Sequence, residues 1–142
     1  DLEQRIVQLA GRSIADVFHH DGEAAFRALE RTATAALGID APSIVAPGGG
    51  WMMDPKNVEL VKPGATIVWL KVSPSVAVAR MGPRIRLRPL LAGGDPVAKL
   101  AEILANRRDR YATADVVIDT EILGWQGVVT AIAALAAPLL QS

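Results

Sequence analysis

The chain contains no cysteine, which excludes disulfide bonds and any metal held by thiolates. That absence suits a reducing compartment, and a cytoplasmic location is expected. Aromatic residues are scarce, with two Phe, one Tyr and three Trp in 142 residues, so the core must be built from aliphatic side chains. Neither charge is in excess, 15 basic residues standing against 15 acidic, which argues against general nucleic-acid binding. The longest apolar stretch, residues 128–140, is short for a membrane span and rich in alanine, so it reads as a buried helix. No signal-peptide pattern is visible. The chain opens on Asp1 rather than Met and reads as a piece of something longer. Its length still suffices for one domain with a real core.

Three β-branched runs are present, at residues 43–46, 66–72 and 115–119. They are almost continuously apolar, as strands buried on both faces of a parallel sheet are. Helical patterns separate them, which gives β-α-β order. Ser13 followed by Asp16, Asp54-Pro55, Ser73-Pro74 and Asp95-Pro96 mark helix starts. Gly38, Pro63-Gly64 and Gly82 mark stops. A last helix is expected over residues 125–140, with Val128, Ile132, Leu135 and Leu139 on one packed stripe. No internal repeat or linker interrupts the chain.

Two short stretches carry the chemistry. In Asp21-Gly22-Glu23-Ala24-Ala25-Phe26-Arg27-Ala28-Leu29-Glu30, the residues Glu23, Arg27 and Glu30 are four and three apart and share one helix face. The ordinary reading of Glu23–Arg27 is a weak surface pair. Gly48-Gly49-Gly50 follows an apolar run, where backbone can approach a ligand with no side chain in the way. Together they describe a floor of amides and one arginine, suited to a small hydroxylated carboxylic acid because a guanidinium grips a carboxylate with paired hydrogen bonds.

These stretches, with Gly11-Arg12-Ser13-Ile14, Arg88-Pro89-Leu90-Leu91 and Arg107 four residues before Tyr111, resemble the shikimate kinase family from Asp1 to about Thr120. The resemblance implies a P-loop α/β fold, a three-layer sandwich around a parallel five-stranded sheet. The family opens with a strand and a G-x-x-x-x-G-K-[ST] phosphate loop, and no such pattern occurs in this chain. The domain over residues 1–142 is therefore expected to be incomplete at its N-terminus and inactive alone, with the loop just upstream.

The resemblance further implies transfer of the ATP γ-phosphoryl group to the 3-hydroxyl of shikimate, with ATP and Mg²⁺ required. Asp1 matches the carboxylate that helps hold Mg²⁺. Glu3 stands where the family has the aspartate that contacts the substrate hydroxyls and takes a proton, and Val7 replaces a glutamate. Phe18 and Phe26 match residues walling the substrate ring. Arg27 and Arg107 match the two arginines on the substrate carboxylate, and Gly48, Gly49 and Gly50 the loop beneath it. Pro47 replaces a hydroxyl residue that could order water near the phosphates.

Residues 82–95, glycine- and proline-flanked and basic, read as a lid. Within it Arg88 matches the arginine that neutralises the transferring phosphoryl group, while Arg80 matches an arginine that stacks on adenine. His19 and His20 have no partners at ligand spacing, so no all-protein metal site is expected. Partners are expected to be shikimate and ATP, bound by a monomer, with no nucleic acid or membrane. Two alternatives fit less well. One is an effector-binding domain of a transcriptional regulator, and the other a different small-molecule P-loop kinase.

Overall fold

The computed structural model describes residues 1–37, 42–91 and 93–140, so the expected stop at Gly38 lies outside them. The chain divides into two compact units. One comprises residues 1–65 with those from Pro138 onward, the other Thr66–Ala137.

The first unit is helical. Helix α1 (Leu2–Ala10) starts at Asp1, whose carboxylate accepts the Glu3 amide at 2.8 Å, and stops at Gly11 with φ 66°. Its Leu2 and Ile6, one turn apart, are buried where α1 packs on α2 (Ile14–Ala35). Ser13 caps α2 as its sequence indicates. Its hydroxyl accepts the Asp16 amide at 3.1 Å and donates to the Asp16 carboxylate at 2.6 Å. Arg12 and Asp21 form an ion pair over this first half of α2. Gly22, at φ 81° and ψ 178°, breaks the helix, so Glu23 begins a new axial direction. Val17, Phe26 and Ala33 carry the buried stripe. A 3-10 turn at Trp51–Met53 leads into α3 (Pro55–Val61), capped by Asp54.

The second unit is a small α/β layer. Strands β1 (Val68–Lys71) and β2 (Val116–Asp119) are parallel, paired from Val68 with Val116 to Lys71 with Asp119. Between them run α4 (Pro74–Met81), 3-10 turns at Gly82–Leu87 and Pro89–Leu91, and α5 (Pro96–Tyr111). Helix α6 (Thr120–Ala136) follows β2 directly, with Asp119 capping its start. Leu91, Ile118 and Val128 are the buried apolar residues here.

The described residues form one two-stranded parallel sheet, and two expectations change. Residues 43–46 are not in a strand. A β-branched run becomes a strand only when a ladder is available, and here the Ala46 carbonyl instead accepts the Leu2 amide at 3.0 Å. The last helix is not buried. Val128 is covered, but Trp125, Val129 and Leu135 are exposed, and Leu139 falls in a 3-10 turn beyond the helix.

Thr120–Leu139 is long and apolar enough, by length and composition, to cross a membrane. However, Gly124 (φ 63°, ψ 175°) breaks it. The regular part, residues 125–136, spans about 18 Å at 1.5 Å per residue, short of a hydrocarbon core of about 30 Å.

Candidate substrate site

The glycine loop and the second half of α2 meet as their sequences suggest. A Cβ at Gly50 would stand 2.8 Å from Arg27 Nη2, and one at Gly48 would stand 3.1 Å from Glu3 Oε1. Gly50 has φ −88°, an angle open to any residue, so an added Cβ would meet no backbone strain and would instead make the Arg27 guanidinium shift. Arg27, Glu3 and the loop therefore share one small region of the first unit. Phe18 and Phe26 adjoin it, their ring centroids 4.6 Å apart. Phe26 is buried and Phe18 is 40% exposed, so one ring packs and the other lies open to a ligand. The Arg27 guanidinium sits 5.3 Å from the centre of the Phe26 ring.

Arg27 is not the solvated surface residue of the simple reading. It donates from Nη2 to Glu23 at 3.3 Å and from Nη1 to Glu30 at 2.9 Å. Glu30 is only 2% exposed. Partial burial works against the arginine's charge, but the hydrogen bonds and charges of Glu30 and Glu23 outweigh it and raise its pKa. Its charge is thus secure, and its orientation is set from behind by a buried carboxylate.

That carboxylate belongs to a polar cluster which sequence reasoning missed. Asn57 Nδ2 donates to Glu30 Oε2 at 3.4 Å and to the Trp51 carbonyl at 3.1 Å. Trp51 Nε1 donates to Thr34 Oγ1 at 2.9 Å, and Thr34 Oγ1 donates to the Glu30 carbonyl at 2.7 Å. All four residues are buried. Two acceptors converge on Asn57 Nδ2, which fixes the amide orientation. Asn57 Oδ1 is then left buried without a partner among the described residues, a cost of about 1–3 kcal/mol. The i,i+3 spacing of Arg27 and Glu30 was the only sequence signal, and nothing local pointed to Asn57.

Asp1 and Glu3 line a shallow groove of about 460 Å³ together with Gln4, Val7, Gln8 and Ile14. Asp1 is exposed, with one carboxylate oxygen engaged by the Glu3 amide. Among the described residues no three acidic or imidazole side chains gather at a metal-binding distance. One carboxylate is nevertheless compatible with Mg²⁺, which takes one or two carboxylates and fills its shell with phosphate oxygens and water.

The other candidate arginines, Arg80, Arg88 and Arg107, lie in the second unit. Arg80 donates to Thr120 Oγ1 at 2.7 Å and to the Thr120 carbonyl at 3.0 Å. Both bonds use the terminal nitrogens of the guanidinium, which fixes its position against the start of α6. Arg88 is exposed between the two 3-10 turns, and Leu91 anchors the end of the second by burial. Residues 82–91, within the segment expected to be a lid, thus form two 3-10 turns with Leu91 as an apolar anchor. Arg107 is half-buried on α5, one turn before Tyr111, whose ring lies 5.7 Å from that of Trp69.

In the first unit an arginine braced over a glycine loop is an arrangement that can receive a small carboxylate, and the second unit is a parallel α/β layer carrying further arginines. Comparison with known proteins narrows this. The sequence profile described as Shikimate kinase matches residues 1–136. A shikimate kinase of Parasynechococcus marenigrum is 41% identical over 118 residues, covering 83% of this chain and 61% of that protein. One of Geobacter sulfurreducens is 38% identical over 133 residues, covering 94% and 73%. The solved shikimate kinase of Acinetobacter baumannii in complex with shikimate matches with a TM-score of 0.76 and 28% identity, over 84% of this chain and 67% of that one. That of Bacteroides thetaiotaomicron has a TM-score of 0.80 at 23% identity over the whole chain, and supports the fold. The chain belongs to the shikimate kinase family. It spans about three-fifths of the length of the first two curated relatives it matches.

Proposed function

We propose that this chain supplies the substrate site, lid and magnesium carboxylate of a shikimate kinase, an ATP-dependent enzyme acting in the cytoplasm as a monomer. The observation that carries this reading is the packing of the Arg27 guanidinium against Gly50, with Glu30 bracing it and Glu3 at Gly48. This arrangement offers a carboxylate grip on one side and a carboxylate base on the other. A relative of known structure holds shikimate itself.

In the proposed reaction Arg27 and Arg107 hold the substrate carboxylate. Phe18 walls the ring, and the amides of Gly48, Gly49 and Gly50 lie beneath it. Glu3 accepts the proton of the 3-hydroxyl as its oxygen forms a bond to the ATP γ-phosphorus. The bond from that phosphorus to the β-phosphate oxygen breaks, and ADP leaves. Arg88 neutralises charge on the phosphoryl group in flight, and Arg80 holds the adenine. Asp1 would take part in holding Mg²⁺, which supplies charge neutralisation at the phosphates.

Residues 82–95 act as the lid. The reaction also needs a phosphate-cradling loop with its lysine, and these 142 residues contain no G-x-x-x-x-G-K-[ST] pattern. The 142 residues alone are then inactive.

The test is ATP turnover by the intact polypeptide carrying this chain, with ³¹P NMR following the phosphorylated product. Shikimate 3-phosphate and ADP should form in equal amounts, and gluconate should not react. Tight shikimate binding without turnover would instead support an effector-binding domain.

A further inference from the structure

The buried cluster behind Arg27 joins two elements that the site needs in register. Asn57 lies on α3, while the arginine lies on α2. Asn57 is 0% exposed, and its single amide nitrogen faces two acceptors, Glu30 Oε2 and the Trp51 carbonyl. The same Glu30 Oε2 accepts from Arg27 Nη1. Trp51 directly follows Gly50, where a Cβ would stand 2.8 Å from Arg27 Nη2. One side chain is thus tied both to the carboxylate that aims the arginine and to the backbone that limits its approach.

We propose that Asn57 is a positioning residue that fixes the gap between the Gly50 backbone and the Arg27 guanidinium, and so sets affinity for the substrate carboxylate. This rests on the shikimate kinase reading of the site. Two physical arguments support it. A carboxylate oxygen shared by an amide and a guanidinium has its direction set by both, so losing the amide frees Glu30 to turn and Arg27 to follow it. Further, the amide leaves Oδ1 unpartnered in the interior. The amide is thus kept despite that penalty, at the one point where its nitrogen ties Glu30 Oε2 to the Trp51 carbonyl.

The test is calorimetric titration of the intact polypeptide with shikimate, and separately with ATP, for wild type, Arg27→Ala, Asn57→Leu and Asn57→Asp. Asn57→Leu should weaken shikimate binding by about tenfold, the scale of a small misplacement of a binding group, and leave ATP binding within about twofold. Asn57→Asp puts a second carboxylate beside Glu30. At acid pH two carboxylates this close share a proton. As pH rises both ionise and compete with the substrate carboxylate for Arg27, so shikimate affinity should fall with rising pH, a trend absent from wild type. The other nearby charges, Glu23, Arg31 and Asp54, are unchanged in every variant, and Arg31 and Asp54 pair with each other.

ATP titration of the same samples reports the folded fraction, so unfolding cannot mimic either result. Wild-type shikimate binding in both Asn57 variants, with loss in Arg27→Ala, overturns the inference and leaves the substrate reading intact. Unchanged binding in all three variants removes the substrate reading and the inference with it. Should Asn57→Leu fail to fold, the pH trend of Asn57→Asp decides.

Discussion

At the scale of single residues, Arg27 shows how tertiary context changes the worth of a charge. Its sequence neighbours make Glu23–Arg27 look like an exposed pair with little energetic weight. The structure gives it a second partner, Glu30, that is almost wholly buried. Arg27→Ala should therefore lower stability as well as affinity, by about 1–3 kcal/mol, because it leaves the buried Glu30 carboxylate without its cation and with only the Asn57 amide as donor. Denaturant midpoints check this, and a midpoint equal to wild type would return Arg27 to the solvated face. Gly50→Ala separates space from strain. Its φ already suits alanine, but the added Cβ must displace the guanidinium. Shikimate affinity should drop while the unfolding midpoint stays nearly unchanged. A variant that binds normally would mean that the arginine has room to spare.

At the scale of elements, the features set by neighbours in sequence were legible, and those set by distant partners were not. Ser13, Asp54 and Asp95 cap helices because a cap needs only the next two or three amides. Ser73 was also expected to cap, but its side chain makes no cap bond, and its amide is taken by Glu121, 48 residues on. Residues 43–46 carry strand composition and find no ladder among the described residues, since a strand forms only where a partner segment lies alongside, which composition does not specify. The arginine and glycine loop were readable as motifs, whereas Asn57 became visible only when α3 packed on α2.

Two predictions belong at this scale. Gly22→Ala should destabilise by about 1–3 kcal/mol although nothing crowds the site, because its φ of 81° disfavours a side chain. Asp16 and Asp54 should make the first unit acid-labile. The Ser13 hydroxyl chiefly lowers the first carboxyl, and the Arg31 guanidinium the second. The unfolded forms then bind protons first as pH falls, so this stability is present above about pH 4 and is lost as pH drops through the depressed folded values. Arg31→Ala should flatten the melting temperature between pH 5 and 3. An unchanged slope would mean that the Arg31–Asp54 pair is not linked to folding.

At the scale of the whole molecule, the family assignment joins a substrate unit and an arginine-bearing α/β unit into one proposed catalyst. The basic turns from Gly82 to Leu91 should gain hydrogen-exchange protection when an ATP analogue and shikimate are both bound to the intact polypeptide, since a lid orders over its ligands. Equal protection with and without ligands would leave Arg88 as a surface arginine. The central claim is that Arg27 grips a carboxylate over the glycine loop, and calorimetric titration of wild type, Arg27→Ala and Arg27→Lys with shikimate tests it most directly. Loss of the bidentate, charge-assisted contact should weaken binding by about one to two orders of magnitude in the alanine variant. Lysine should restore only part of it, because an ammonium cannot form the planar fork. Wild-type shikimate affinity in folded Arg27→Ala would contradict the claim.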